Sequence, residues 1–157
     1  MSAILEHIQS LESYAKRNGA TLVRRALPEP IHGSLSRDHI ILRFDLSPEQ
    51  HLLALVHELT HWLAHRNEDS HPALAHYTIY EYEAEAVEAL VMTRLGLAVP
   101  ERTATPVEDG EPTDGLLPSS VNRVISATRR ICQALGVEHP ADAARIASPH
   151  RSPGTGP

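Results

Sequence analysis

Along the first stretch of the chain, apolar side chains return every three or four positions. Ile4, Ile8, Leu11 and Tyr14 share one face of a helix expected over residues 3–17, and Gly19 follows as a stop. A strand is expected over residues 21–27, closed by Pro28 and Pro30, because proline cannot donate to a sheet ladder. Residues 31–44 read as a hairpin turning at 36–38, with Ile40, Leu42 and Phe44 alternating toward one face of its second strand. Ser47-Pro48-Glu49-Gln50 then opens a helix: Ser caps, Pro occupies the first turn, and Gln stands three residues after the cap. This helix should run over 48–66, with Leu52, Leu55, Val56, Leu59 and Leu63 as its core stripe.

After a connection at 67–76, a second long helix is expected over 77–95, closed by Gly96. Residues 98–118 are rich in Pro, Glu, Asp, Thr and Gly without periodicity and read as a long loop. A last helix over 119–135 carries Val121, Val124, Ile125, Ile131 and Leu135 inward. This order of elements implies an α+β fold, a small antiparallel or mixed sheet packed on a helical core. A single domain over 1–136 is expected, with a tail at 137–157 that is disordered toward its end.

Composition narrows the possibilities. Hydrophobic residues make up 41% of 157, enough for a core, but aromatics at 4% leave aliphatic side chains to fill it. A formal net charge of −6 argues against a general affinity for nucleic acid backbones. The single cysteine, Cys132, excludes an intramolecular disulfide and reads as a small buried apolar residue. Charged residues run through the N-terminal segment, and no apolar stretch has the length of a membrane span. A cytoplasmic protein is the expectation. Eleven histidines are the unusual count.

Five residues inside the Ser47-capped helix carry chemistry: His57-Glu58-Leu59-Thr60-His61. Side chains four apart lie one turn apart on one helix face, so both imidazoles can reach a single ion. Glu58 projects toward the same edge and can contact a metal-bound water. Zn²⁺ is the expected metal, although two imidazoles and one carboxylate also suit Mn, Fe or Co.

A catalytic zinc needs a third protein ligand. Asn67 stands where a long-spacing third histidine would fall, and His65 would require one straight helix to wrap three turns around one ion. The second helix offers Glu81, Glu83, Glu85 and Glu88. At about 100° per residue, Ile79, Ala86, Val87 and Leu90 cluster on one arc with Glu83 in its middle, whereas Glu81, Glu85 and Glu88 share the opposite, solvated arc. A carboxylate in an apolar stripe is costly unless it is paired or binds metal. Glu83 is therefore the expected ligand; the alternative is a buried Glu83 paired with an arginine such as Arg24 or Arg43.

HELTHWLAH followed by EYEAEAVEALV, and the preceding IILRFDLSPEQHLLALV, resemble the ImmA/IrrE-like metallopeptidases and the related zincin domains of antirestriction-type proteins. The likeness covers roughly residues 31–97. It implies a zincin-like fold, zinc ligands at His57, His61 and Glu83, and Glu58 as general base. Glu85 replaces an Asn frequent in such relatives, and Thr60 a Gly or Ala. By the same resemblance, Ile40, Leu42 and Phe44 would line a substrate-binding edge strand. The substrate would be a specific cytoplasmic protein or peptide, for instance a transcriptional repressor, since general digestion would be hazardous inside a cell. The rival readings are a non-catalytic zincin scaffold acting as an antirestriction or regulatory binding module, and a metal-free helical interaction protein. Tyr77, Tyr80, His71 and His76 are candidates for stabilising the transition state.

Overall fold

Local chemistry starts and stops the elements much where the pattern places them. The computed structural model describes residues 2–66, 74–99 and 118–137. Helix α1 spans Ala3–Arg17, strands β1, β2 and β3 span Thr21–Arg25, Gly33–Ser36 and His39–Arg43, and helices α2, α3 and α4 span Pro48–His65, Leu74–Arg94 and Pro118–Leu135. Among the described residues the fold is α+β, with four helices and a small three-stranded mixed sheet. The expected loop at 98–118 and tail at 137–157 fall almost wholly outside the described residues.

At the start of α2, Ser47 Oγ accepts the Gln50 N–H at 3.2 Å and Gln50 Oε1 accepts the Ser47 N–H at 3.1 Å. Two donors that the helix cannot satisfy itself are thus paired reciprocally. Gly96 follows α3 with φ 69, in the left-handed region that glycine reaches without Cβ strain. The hairpin turns through Arg37 and Asp38, and Arg37 takes φ 55 as a tight two-residue loop requires at its first position. Trp62 Nε1–H donates to Asp38 Oδ1 at 2.9 Å, tying that turn to α2.

Strand order is β1-β3-β2. β3 pairs in parallel with β1, Leu22 opposite Ile40, and antiparallel with β2, Leu35 opposite Ile40. This corrects the expectation of a substrate-binding edge at Ile40, Leu42 and Phe44. Both hydrogen-bonding edges of β3 are taken, Ile40 and Leu42 are buried in the core, and Phe44, just past the strand, donates its N–H to Arg25. Among the described residues, the strands with a free side are β1 and β2.

Sheet and helices meet in one cluster of buried side chains that includes Leu11, Ile40, Leu42, Leu55, Leu59, Trp62, Val87, Val91 and Ile131. Cys132 is buried with them, as a small apolar residue would be. Among the described residues, no helix is long and apolar enough to cross a membrane.

Candidate metal centre

His57 and His61 lie one turn apart on α2, and their Nε2 atoms approach to 3.0 Å. From α3, Glu81 places Oε1 3.0 Å from His61 Nε2 and Oε2 3.3 Å from His57 Nε2. One nitrogen from each ring and one carboxylate oxygen all lie within 4.8 Å of one another. The third member of this cluster is Glu81, whereas the helical-wheel argument selects Glu83.

The reason lies in which face α3 buries. Ala84, Val87 and Val91 are its fully buried centre, Glu83 flanks them on one side, and Glu88 and the half-buried Glu81 flank them on the other. Leu90, expected in the stripe, is 39% exposed. Apolar residues occupy nearly every side of α3, so periodicity alone gives the buried face little direction.

Glu83 is as inaccessible as expected, at 1% exposure, but its partners are an arginine and a histidine. Arg123 of α4 donates from Nε to Oε2 at 2.9 Å and from Nη2 to Oε1 at 2.7 Å, and His65 Nε2 lies 2.6 Å from Oε2. This is the paired-arginine alternative, realised with Arg123. Arg24 and Arg43 are engaged elsewhere, Arg24 with Glu12 and Arg43 with Glu29 and Asp45. Burial would raise the Glu83 pKa, but hydrogen bonds from Arg123, Ser120 and His65 outweigh it and the carboxyl titrates below its ordinary value. Burial lowers the His65 pKa and favours the neutral ring.

His57 Nδ1 hydrogen-bonds the buried Glu88 carboxylate. A carboxylate only accepts, so Nδ1 carries a hydrogen and Nε2 is the nitrogen that faces His61 and Glu81. Burial works against a charge on His57, yet hydrogen bonds with Glu81 and Glu88 hold its pKa up to about 10. Burial would raise the Glu81 pKa, but His57 and His61 depress it well below the usual carboxylate range. Both shifts have one meaning: ring nitrogens and carboxylate oxygens converge on a point that favours positive charge. The donor set, two imidazole nitrogens and one carboxylate, fits Zn²⁺ with a position left open.

Glu58 is 6% exposed, and burial raises its pKa against the lowering by His57 and His61. It lies in a cavity of about 210 Å³ walled by His57, Glu88, Leu53, Ala54 and Gly33. A Cβ built on Gly33 would fall 2.7 Å from Glu58 Cγ and 2.8 Å from Oε1, so the first residue of β2 must be glycine for Glu58 to lie where it does.

Of the residues named from sequence, His57, Glu58 and His61 are together; Glu83 lies beyond His65 on the far side of His61. Tyr80 stacks on His65, with ring centroids 4.0 Å apart. His71 lies outside the described residues, as do the side chains of His76 and Tyr77. Sequence reasoning missed Glu81, Glu88, Gly33 and Arg123. The one available signal was the seven-residue spacing of Glu81 and Glu88, two turns apart on one face. Compared with known protein families, curated proteins and solved structures, the chain has no match.

Proposed function

We propose that this protein is a zinc-dependent peptidase of the zincin type that cuts a specific cytoplasmic protein or peptide, for instance a transcriptional repressor. The observation that carries this reading is the convergence of His57 Nε2, His61 Nε2 and Glu81, with the buried Glu58 lining a cavity together with His57. His57, His61 and Glu81 would hold the ion, with Glu88 orienting His57 through Nδ1. Zinc in such a site supplies a Lewis acid and lowers the pKa of water from about 15.7 toward about 7.

Glu58 is the general base and then the general acid. Its raised pKa suits a group that takes a proton from water and hands it to the leaving amine. β2 is the edge strand next to this cavity, so its outer side is the place for a substrate backbone to add as a strand. Its short length and small residues, Gly33, Ser34 and Ser36, leave room for a backbone to approach.

Replacing Glu58 by Gln tests the reading. Untagged wild-type protein should carry about one zinc per chain, and E58Q should keep it. Cleavage should fall by about 10²–10⁴-fold, while E58Q retains and captures the protein it no longer cuts. An E58Q variant with undiminished biological activity would instead identify a non-catalytic binding module, and wild type that takes up no metal would refute the metal centre.

A further inference from the structure

We infer that Arg123, Glu83 and His65 form a positioning relay that fixes which nitrogen of His61 faces the cation, making His65 a residue that orients a ligand without being one. The inference rests on reading His57, His61 and Glu81 as a metal centre. The relay begins on α4, where the Arg123 guanidinium grips both oxygens of the fully buried Glu83. A carboxylate held in this way only accepts, so His65 Nε2, 2.6 Å from Oε2, is the N–H end of that contact. A neutral His65 then keeps its lone pair on Nδ1.

That lone pair lies 3.2 Å from His61 Nδ1. The contact is a hydrogen bond only if His61 Nδ1 carries the hydrogen. His61 Nε2 is then bare, on the side where His57 Nε2 lies 3.0 Å and Glu81 Oε1 3.0 Å away. The opposite polarity would require a doubly protonated, buried His65. It would also put a hydrogen on His61 Nε2, aimed into the cluster and closing it to a metal. Tyr80, stacked at 4.0 Å and 20° from parallel, holds the His65 ring plane for this contact.

The two ligand histidines are thus oriented by different means. His57 meets its carboxylate directly, whereas His61 reaches Glu83 through an intervening imidazole. Both nitrogens of His65 are engaged, which explains why a third histidine at helical spacing does not join the cluster.

Zinc affinity, measured by chelator competition on the full chain, tests the relay with two substitutions. H65F keeps a ring on Tyr80 but offers His61 no acceptor, whereas H65N sets an amide oxygen near the place of Nδ1. Affinity should fall about 10–100-fold in H65F, with melting of the metal-free protein showing it folded, and should return close to wild type in H65N. H65F binding as tightly as wild type overturns the relay, as does equal weakening in both variants. Nitrogen-15 spectra of the zinc-loaded wild type decide without mutation. They should report His65 protonated at Nε2 and bare at Nδ1, and a doubly protonated or Nδ1-protonated His65 overturns the relay while leaving the metal centre standing. Wild type that binds neither zinc nor cobalt overturns both.

Discussion

Alanine at Gly33 would add a single methyl group where Glu58 already lies. The new Cβ would stand 2.7 Å from Cγ and 2.8 Å from Oε1 of Glu58. Carbon pairs settle at about 3.5–4.0 Å, so side chain or strand must give by about 1 Å. Such overpacking costs about 1–3 kcal/mol of stability. The chemical cost is larger, because a reacting group misplaced by about 1 Å loses about 100-fold in rate. None of the three proposed ligands touches Gly33 in this way, so zinc content and affinity should be unchanged. The assay is cleavage of a degenerate peptide library followed by mass spectrometry, alongside zinc analysis and thermal melting. G33A cleaving at the wild-type rate with a wild-type melting temperature would refute the argument that the position of Glu58 is set by the bare backbone of β2.

Three further outcomes are expected. E81Q should weaken zinc binding by more than about 100-fold, since it removes the carboxylate of the proposed ligand set; E83Q should destabilise the fold by roughly 3 kcal/mol in urea titration, because it removes the buried charge that the Arg123 guanidinium grips. S47A should cost about 1 kcal/mol by the same titration without altering zinc affinity, because it removes one half of the box that starts α2. His51 is buried, its Nε2 lies 3.4 Å from Glu12 without hydrogen-bonding it, and burial lowers its pKa. The native state therefore binds that proton less readily than the unfolded chain, so the stability contributed is present above about pH 6.5 and falls as pH drops below it. Melting of wild type and H51F across that range checks this, and the variant should show the shallower slope.

What the sequence disclosed and what it withheld separate along physical lines. The start of α2 was legible because a capping box is decided within four residues, and so was the hairpin, whose two strands are sequence neighbours. His57, Glu58 and His61 were legible because one helix carries all three. Strand order was not, since β1 joins β3 across the intervening β2, and no local pattern records that. The choice between Glu81 and Glu83 failed for a related reason. It depends on the roll of α3, which is set by packing against α2 and α4, while the apolar residues of α3 surround it on nearly every side. Arg123 stands 40 residues from Glu83, so the pairing belongs to tertiary structure.

Glu81 and Glu83 are two residues apart, yet they anchor α3 at different places, Glu81 on His57 and His61 of α2 and Glu83 on His65 of α2 and the guanidinium of α4. Together they act as two guy-lines on a mast, and α3 can turn about its axis only by slackening one of them. One residue inserted between them would swing one carboxylate about 100° from its anchor. This short interval should therefore tolerate exchange of Tyr82 far better than any change in its length.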